Sequence, residues 1–377
     1  MSDIQHDASA PNSREIEPEG LDTDAGIELD DYPLDSVMIR TETRTVAEVV
    51  KRIENRRWVM DPDFQRDFVW EPARQSRLIQ SCLMRIPLPV FYLAEDREGR
   101  VIVVDGLQRL TTFCRYLEGS FALKGLGSGE GEAKKEHPLN GKKVDALPIK
   151  LKERIEDTQL TLYILDSNTP PRAKLDIFER VNSGVPLSRQ QMRNALYVGR
   201  ATKWLQEVSD NEIFLEATGG SLSKKTMRDR EAINRFCGFY LRPDFYTGDM
   251  DAFLADTLDH MNKMTDDELY SLKLVFLKSM QINSDLFGKH AFRKSLTDPD
   301  GDRAVINIAL FDACSVLFAK VDSNDAKRNE DLIRERFDDL LSDEEFYNSI
   351  TLATNSVKNV NLRFDRIRSI TDIIDIL

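Results

Sequence analysis

VVDGLQRLTTF, residues Val103 to Phe113, places an Asp, a Gly, a Gln and an Arg where a β-branched run passes into a run with helical spacing. At about 100° per residue, Leu107, Leu110, Phe113, Cys114 and Leu117 share one arc. Gln108, Arg109, Thr111, Thr112, Arg115 and Tyr116 share the other. The segregation predicts a helix over Leu107–Leu117 that packs by its leucine face and turns Gln108 and Arg109 outward. Asp105 then ends a strand just ahead of the first turn, and two uses of it are open. As an N-cap, with Gln108 three residues on as in a capping box, it accepts a backbone N–H and contributes on the order of 1 kcal/mol. As part of an anion site, it stands beside unpaired N–H groups and the positive end of the helix dipole. Gly106 would let a phosphate approach there, and Arg109 offers a planar fork. A cation in a first turn opposes the dipole, so Arg109 needs an anion or a carboxylate to meet it.

Upstream, PLPVFYLAED and Arg100–Asp105 read as two strands joined by a hairpin turn at Glu98-Gly99. Before them, EPARQSRLIQSCLMRI opens with Pro72 in a first-turn position and carries Leu78, Ile79, Cys82, Leu83 and Ile86 on one stripe, so a helix is expected. Thr43–Ile53 also reads as a helix, with Val46, Val49, Val50 and Ile53 on one face. MDPDFQRDFVW has extended character and holds a second Gln-Arg pair, Gln65 and Arg66, among Phe64, Phe68 and Trp70. If the two Gln-Arg pairs converge at one sheet edge they form a polyanion pocket; core packing is the plainer use of the three aromatics. Downstream, GLGSGEGEAKKEH suggests a mobile loop, Asn140-Gly141 a turn and QLTLYIL a third strand. Beyond Pro170 the pattern is almost wholly helical, from Arg172–Val181 and Ser188–Val208 to Asn361–Ile376. The class expected is α+β: a small α/β domain over residues 37–168, then a helical domain over residues 169–377.

The net charge of −13 is unevenly spread. Residues 1–36 carry eleven Asp or Glu against Arg14 alone, which leaves −3 for residues 37–377. This acidic segment has few large apolar residues and no periodicity, so a disordered tail is expected. Nothing at the N-terminus resembles a signal peptide, and no apolar run approaches the ~20 residues that span a bilayer. The expectation is a cytoplasmic protein with no membrane association. Cys82, Cys114, Cys237 and Cys314 lie far apart in apolar stretches, with neither disulfide nor metal-ligand spacing. With four scattered histidines, no metal ligand set is named.

PDFQRDFVWEPARQSRLIQSCLMRIPLPVFYLAED, then VVDGLQRLTTF, then IFERVNSGVPLSRQQMRNALY resemble, in order and spacing, the GmrSD-type restriction endonuclease N-terminal domain family. The signature of that family is Asp-Gly-Gln-Gln-Arg. MRDREAINRFCGFYL and INIALFDACSVLFAKV resemble its helical part, so the similarity spans residues 43–320. The resemblance implies a ParB/sulfiredoxin-like α/β fold followed by helices. It also implies binding and hydrolysis of a nucleoside triphosphate, with Mg2+ or Mn2+ as candidate ions, in the regulatory part of a bacterial anti-phage or modification-dependent restriction system. Position by position, Asp105, Gly106, Gln108 and Arg109 match the signature, and Gln65 and Arg66 an upstream Phe-Gln-Arg. Asn182 and Gly184 match an Asn-x-Gly turn, for which a helix C-cap is the bland alternative. Asp105, Gln108 and Arg109 are thus the candidate catalytic residues; Gln65, Arg66, Gly106 and Asn182 are the candidate nucleotide-binding ones. Two positions depart from the family pattern: Leu107 replaces the first Gln of the signature, and Gln191 stands where Glu is usual.

Family members that cut DNA carry a His-Asn-His-type nuclease domain after the helices. Here His290 is the last histidine, and NVNLRFDRIRSITDIIDIL reads as an amphipathic helix. A separate partner nuclease or effector is therefore expected. The apolar stripe from Val360 to Leu377 is either its dock or the helical domain's own core. Two further functions stay open. A non-catalytic DNA-binding scaffold would use the basic run SKKTMRDR, Ser223–Arg230, and a DNA-nicking enzyme would use Asp105.

Overall fold

The computed structural model describes residues 18–19, 38–60, 70–96, 99–126, 137–181, 188–298 and 300–374. Those from 38 to 202 form one compact unit; those from 203 onward, with Pro18 and Glu19, form the other. The class is α+β: a mixed five-stranded sheet with helices, then a mostly helical region.

The sheet holds β1 (Ile39–Thr45), β2 (Trp58–Val59), β3 (Phe91–Glu95), β4 (Val101–Asp105) and β5 (Gln159–Leu165), in the order β1-β5-β3-β4-β2. The β3–β4 hairpin is antiparallel as expected, whereas β3 runs parallel to β5 and β2 parallel to β4. Helices α1 (Val46–Glu54), α2 (Pro72–Leu83), α3 (Leu107–Leu117), α4 (Ile149–Glu156), α5 (Pro171–Val181) and α6 (Arg189–Leu196) complete the unit.

Alternation along the central strands explains the layering. Leu93, Val103, Leu162 and Ile164 join the core that includes Val49, Ile79, Leu110 and Phe113. The residues next to them, Ala94, Val104 and Leu165, face the opposite side and pack against Leu175, Phe178, Met192 and Leu196. The expected boundary at 168/169 is therefore corrected: α5 and α6 belong to the sheet unit, because they cover its second apolar face.

Two helices read from the sequence begin or end differently. Thr43–Ile53 is not one helix, since Thr45 ends β1 and its Oγ accepts the Glu48 N–H at 3.2 Å, capping α1. The strand before it exists because β5 pairs it over seven residues, from Ile39 opposite Leu165 to Thr45 opposite Gln159. Ser188–Val208 breaks after α6, and α7 (Arg200–Ser209) starts anew.

In the second unit follow α8 (Glu212–Thr218), α9 (Arg228–Leu241), α10 (Met250–Met261), α11 (Asp266–Phe287), α12 (Ile308–Lys320), α13 (Ser323–Arg328), α14 (Glu330–Ser342), α15 (Glu344–Ser349) and α16 (Val357–Ile374). Its centre contains charge. Arg235 on α9 forms a bidentate pair with Asp312 on α12, at 2.6 Å for the shortest contact, and Arg363 on α16 lies 3.7 Å from the same carboxylate. All three side chains are at most 1% exposed. Val360, Ile367 and Ile370 are buried, and the Phe364 ring lies 5.1 Å from that of Phe239. As far as the described side chains go, the α16 stripe is covered by the unit's own core.

The acidic tail is not wholly without contacts. The Glu19 N–H donates to Ile306 O at 2.8 Å, Glu19 O accepts from the Ile308 N–H at 2.9 Å, and the carboxylate meets Lys294 Nζ at 2.9 Å. The expectation of disorder is thus corrected at this residue, where an extended backbone finds strand-like partners; the tail other than Pro18 and Glu19 lies outside the described residues, as does most of the expected loop at 125–137. All four cysteines are buried free thiols, and burial pushes Cys82 up to about 11 and Cys114 up to about 12. Among the described residues no helix is long and apolar enough to cross a membrane, and no three His, Cys, Asp or Glu side chains are grouped to hold a metal ion.

Candidate functional site at the strand-to-helix junction

β4 ends at Asp105 and α3 begins at Leu107, so the whole turn rests on Gly106. Its φ of 101° is a conformation L side chains rarely adopt. A Cβ there would stand 2.8 Å from Phe91 Cε1 and closer still to Cδ1. Both the backbone and the neighbouring ring require glycine.

Two expectations are corrected here. Gly106, not Asp105, is the N-cap of α3, and no side-chain cap hydrogen bond is seen there among the described residues. Arg109 does not face outward: it is 9% exposed, and Thr112 and Tyr116 on the same arc are buried too. The physical reason lies in the chain before β3. The Arg109 guanidinium donates Nη1 to Pro89 O and Nη2 to Val90 O at 3.0 Å, and lies over the Phe91 ring, 4.1 Å from its centroid. Nη2 also donates to Asp105 Oδ2 at 2.9 Å. The carboxylate that a first-turn cation needs is therefore supplied by the chain itself, four residues upstream. Burial lowers the Arg109 pKa from its ordinary value, while the Asp105 charge and hydrogen bond act to raise it.

The result is an asymmetric pair. The Asp105 side chain is 37% exposed and that of Arg109 only 11%. Arg109 fixes one carboxylate oxygen, and no bond to the other is described. Gln108 is half-buried on the first turn of α3. Leu107, which replaces a Gln of the signature, is partly buried against the core, as its place on the helical wheel suggests. Trp70 packs on the same core, with Arg74 4.5 Å from its ring centroid. Gln65, Arg66, Phe64, Phe68, Asn182 and Gly184 lie outside the described residues.

Near the same strand, a polar cluster went unread in the sequence. α6 packs on β4 and buries Gln190, Arg193 and Asn194. Arg193 donates to Gln190 Oε1 at 2.7 Å, and Gln190 donates to Asn194 Oδ1 at 2.9 Å. Arg189 reaches the buried Asp176 of α5 at 3.0 Å. The available signal was the run of polar residues in QQMRN on a helix whose large apolar anchors are only Met192 and Leu196. Gln191 itself closes a capping box with Ser188, a role for which an amide serves as well as a carboxylate.

The basic run Ser223–Arg230 is partly neutralised. Lys224 pairs with Asp210 at 2.6 Å and Arg228 with Glu231 at 2.8 Å.

Against known proteins, the family model described as GmrSD restriction endonuclease, N-terminal domain, matches residues 46–198. Neither curated proteins nor solved structures give a match. The matched stretch begins at α1, contains the Asp105–Arg109 junction and ends just after α6, within the sheet unit. The chain thus carries, over residues 46–198, a GmrSD restriction endonuclease N-terminal domain.

Proposed function

We propose that this domain binds a nucleoside triphosphate at the β4–α3 junction, hydrolyses it, and serves as the regulatory part of a restriction-type defence system whose nuclease or effector is another polypeptide. The observation that carries the reading is the pairing of a half-exposed, pre-oriented carboxylate with an uncapped helix N-terminus across an obligatory glycine. The first-turn N–H groups and the dipole suit phosphate oxygens, and Gly106 keeps the approach free of a side chain. In this reading Arg109 is a positioning residue: its terminal nitrogens donate to Pro89, Val90 and Asp105, and it holds the carboxylate rather than the phosphate. Asp105 supplies the base, or a contact to Mg2+ or Mn2+. One carboxylate beside phosphates is a donor set that such ions accept. When bound, the ion would offset phosphate charge. Gln108 would orient water or a phosphate oxygen from the first turn. Gln65, Arg66 and Asn182 enter the reading through the family resemblance.

The DNA-scaffold reading draws less support, because the Ser223–Arg230 cations have acidic neighbours. The test is calorimetric binding and phosphate release over ribo- and deoxyribonucleotides, with and without Mg2+ or Mn2+. Asp105→Asn is expected to lower turnover on the order of 100-fold while binding persists. No binding of any nucleotide under any metal condition would overturn the proposal.

A further inference from the structure

In the helical unit, two arginines meet at the C-terminal end of α8. Arg293, fully buried, donates to Ala291 O at 2.6 Å, Thr218 O at 2.7 Å and Ser221 Oγ at 3.1 Å. Arg303, exposed, donates Nη2 to the same Ser221 Oγ at 2.6 Å and to the same Thr218 O at 3.1 Å. Its guanidinium approaches Gly219 by the Nη2 end, where a Cβ would stand 2.8 Å from Cζ and closer still to Nη2. Neither arginine has a carboxylate within ion-pair distance among the described residues, although Asp298, Asp300 and Asp302 flank Arg303 in sequence. Arg293 Nε is a buried donor without an acceptor, and Arg303 uses one of its three nitrogens.

The charges do not balance. A helix C-terminus offers about half a negative charge, and α8 is only seven residues long. Two full positive charges share its Thr218 carbonyl. Buried charges are ordinarily paired, and here no carboxylate among the described residues supplies the counter-charge. Burial and the like charge of Arg303 hold Arg293 down to about 10.

We propose that Arg303, Ser221 and the underlying Arg293 form a binding site for a phosphate group on the helical unit, separate from the nucleotide reading of the sheet unit. Arg303 Nε and Nη1 would donate to the oxygens, the Ser221 hydroxyl would join them by turning from its long 3.5 Å bond to Gly219 O, and Arg293 would add its charge from beneath. Planar guanidinium forks favour such tetrahedral oxyanions. The phosphate could belong to a small ester or to a nucleic-acid backbone.

The experiment uses the full chain. Its melting temperature is followed as sodium phosphate replaces sodium chloride at constant ionic strength, for wild type, Arg303→Ala and Arg303→Lys. Wild type is expected to gain a saturable rise of roughly 2–4 °C, with a midpoint on the order of 1 mM. Arg303→Ala should lose the rise and Arg303→Lys keep part of it. Because Arg303 is exposed, the variants should fold, and Arg303→Ala without phosphate should melt at or slightly above wild type as the like-charge contact is relieved. Anisotropy with a short fluorescent duplex separates the sources. Duplex binding weakened at least threefold by Arg303→Ala identifies a nucleic-acid backbone; duplex binding unchanged beside a lost phosphate response identifies a small ester. No phosphate response in wild type, or an equal one in Arg303→Ala, overturns the proposal.

Discussion

Each unit of this protein contains an Arg–Asp pair, and the two are built for different ends. In the helical unit, Asp312 gives both oxygens to Arg235 and has Arg363 beside it, with all three side chains sealed from solvent. In the sheet unit, Asp105 gives one oxygen to Arg109 and keeps over a third of its side chain exposed. Of the arginines, Arg235 donates to the Asn355 side chain besides Asp312, while Arg109 is anchored to the backbone carbonyls of Pro89 and Val90, as Arg363 is to those of Ser349 and Thr354. The difference lies in the carboxylate. A sealed carboxylate neutralises charge and ties three helices together, and it has no route to a ligand. A carboxylate held on one side and open on the other is oriented without being consumed. The same pair of side chains thus reads as architecture in one place and as a candidate site in the other.

The largest effect expected from breaking this comparison is at the sealed pair. Asp312→Ala leaves two guanidiniums in the core without their counter-charge, at a cost of about 3–5 kcal/mol. Urea denaturation would measure it, and a loss below about 1 kcal/mol would mean that the core rearranges to admit water. Next comes Gly106→Ala. A side chain at that φ is strained, and the new methyl overlaps the Phe91 ring, so a loss of roughly 2–3 kcal/mol is expected in the sheet unit. The measurement is the denaturation midpoint, checked against Gly141→Ala. That glycine also has positive φ, but with no atom within 4 Å of its would-be Cβ. Equal losses in both would assign the whole effect to backbone strain and remove the steric part of the argument.

What the sequence disclosed about these sites follows from what is local. The Leu107–Leu117 helix, the β3–β4 hairpin and the glycine between strand and helix depend on residues a few positions apart, and all were readable. The burial of Arg109 was not, because its acceptors are carbonyls 19 and 20 residues upstream. A helical wheel sorts polar from apolar residues and cannot tell an arginine that reaches water from one that reaches backbone. The same limit hid β1, a polar strand whose partner β5 lies over a hundred residues on. It hid the burial of Gln190, Arg193 and Asn194 as well, where the polar groups bond to one another inside. Nearly every failure had one form: a polar side chain taken for a surface one.

The smallest expected effect concerns a third ion pair, at the exposed end of the scale. Lys294 and Glu19 are 18% and 46% exposed, and the pair is supported by two backbone hydrogen bonds to Ile306 and Ile308. An exposed pair contributes about 0.2–1 kcal/mol, so Glu19→Ala should lower the stability of the full chain by no more than that. The two backbone bonds survive this substitution, whereas removal of residues 1–36 takes them as well, and a loss of about 1–2 kcal/mol is expected. The Ile308 amide gives a local reading, because its N–H donates to Glu19 O. Hydrogen exchange at that amide should accelerate strongly on removal of the segment and only slightly in Glu19→Ala. Equal acceleration in the two would show that the carboxylate, and not the strand-like backbone pairing, seats the segment. That result would move this pair from the weak end of the comparison toward the junction at Asp105, where one carboxylate orders the chain around it.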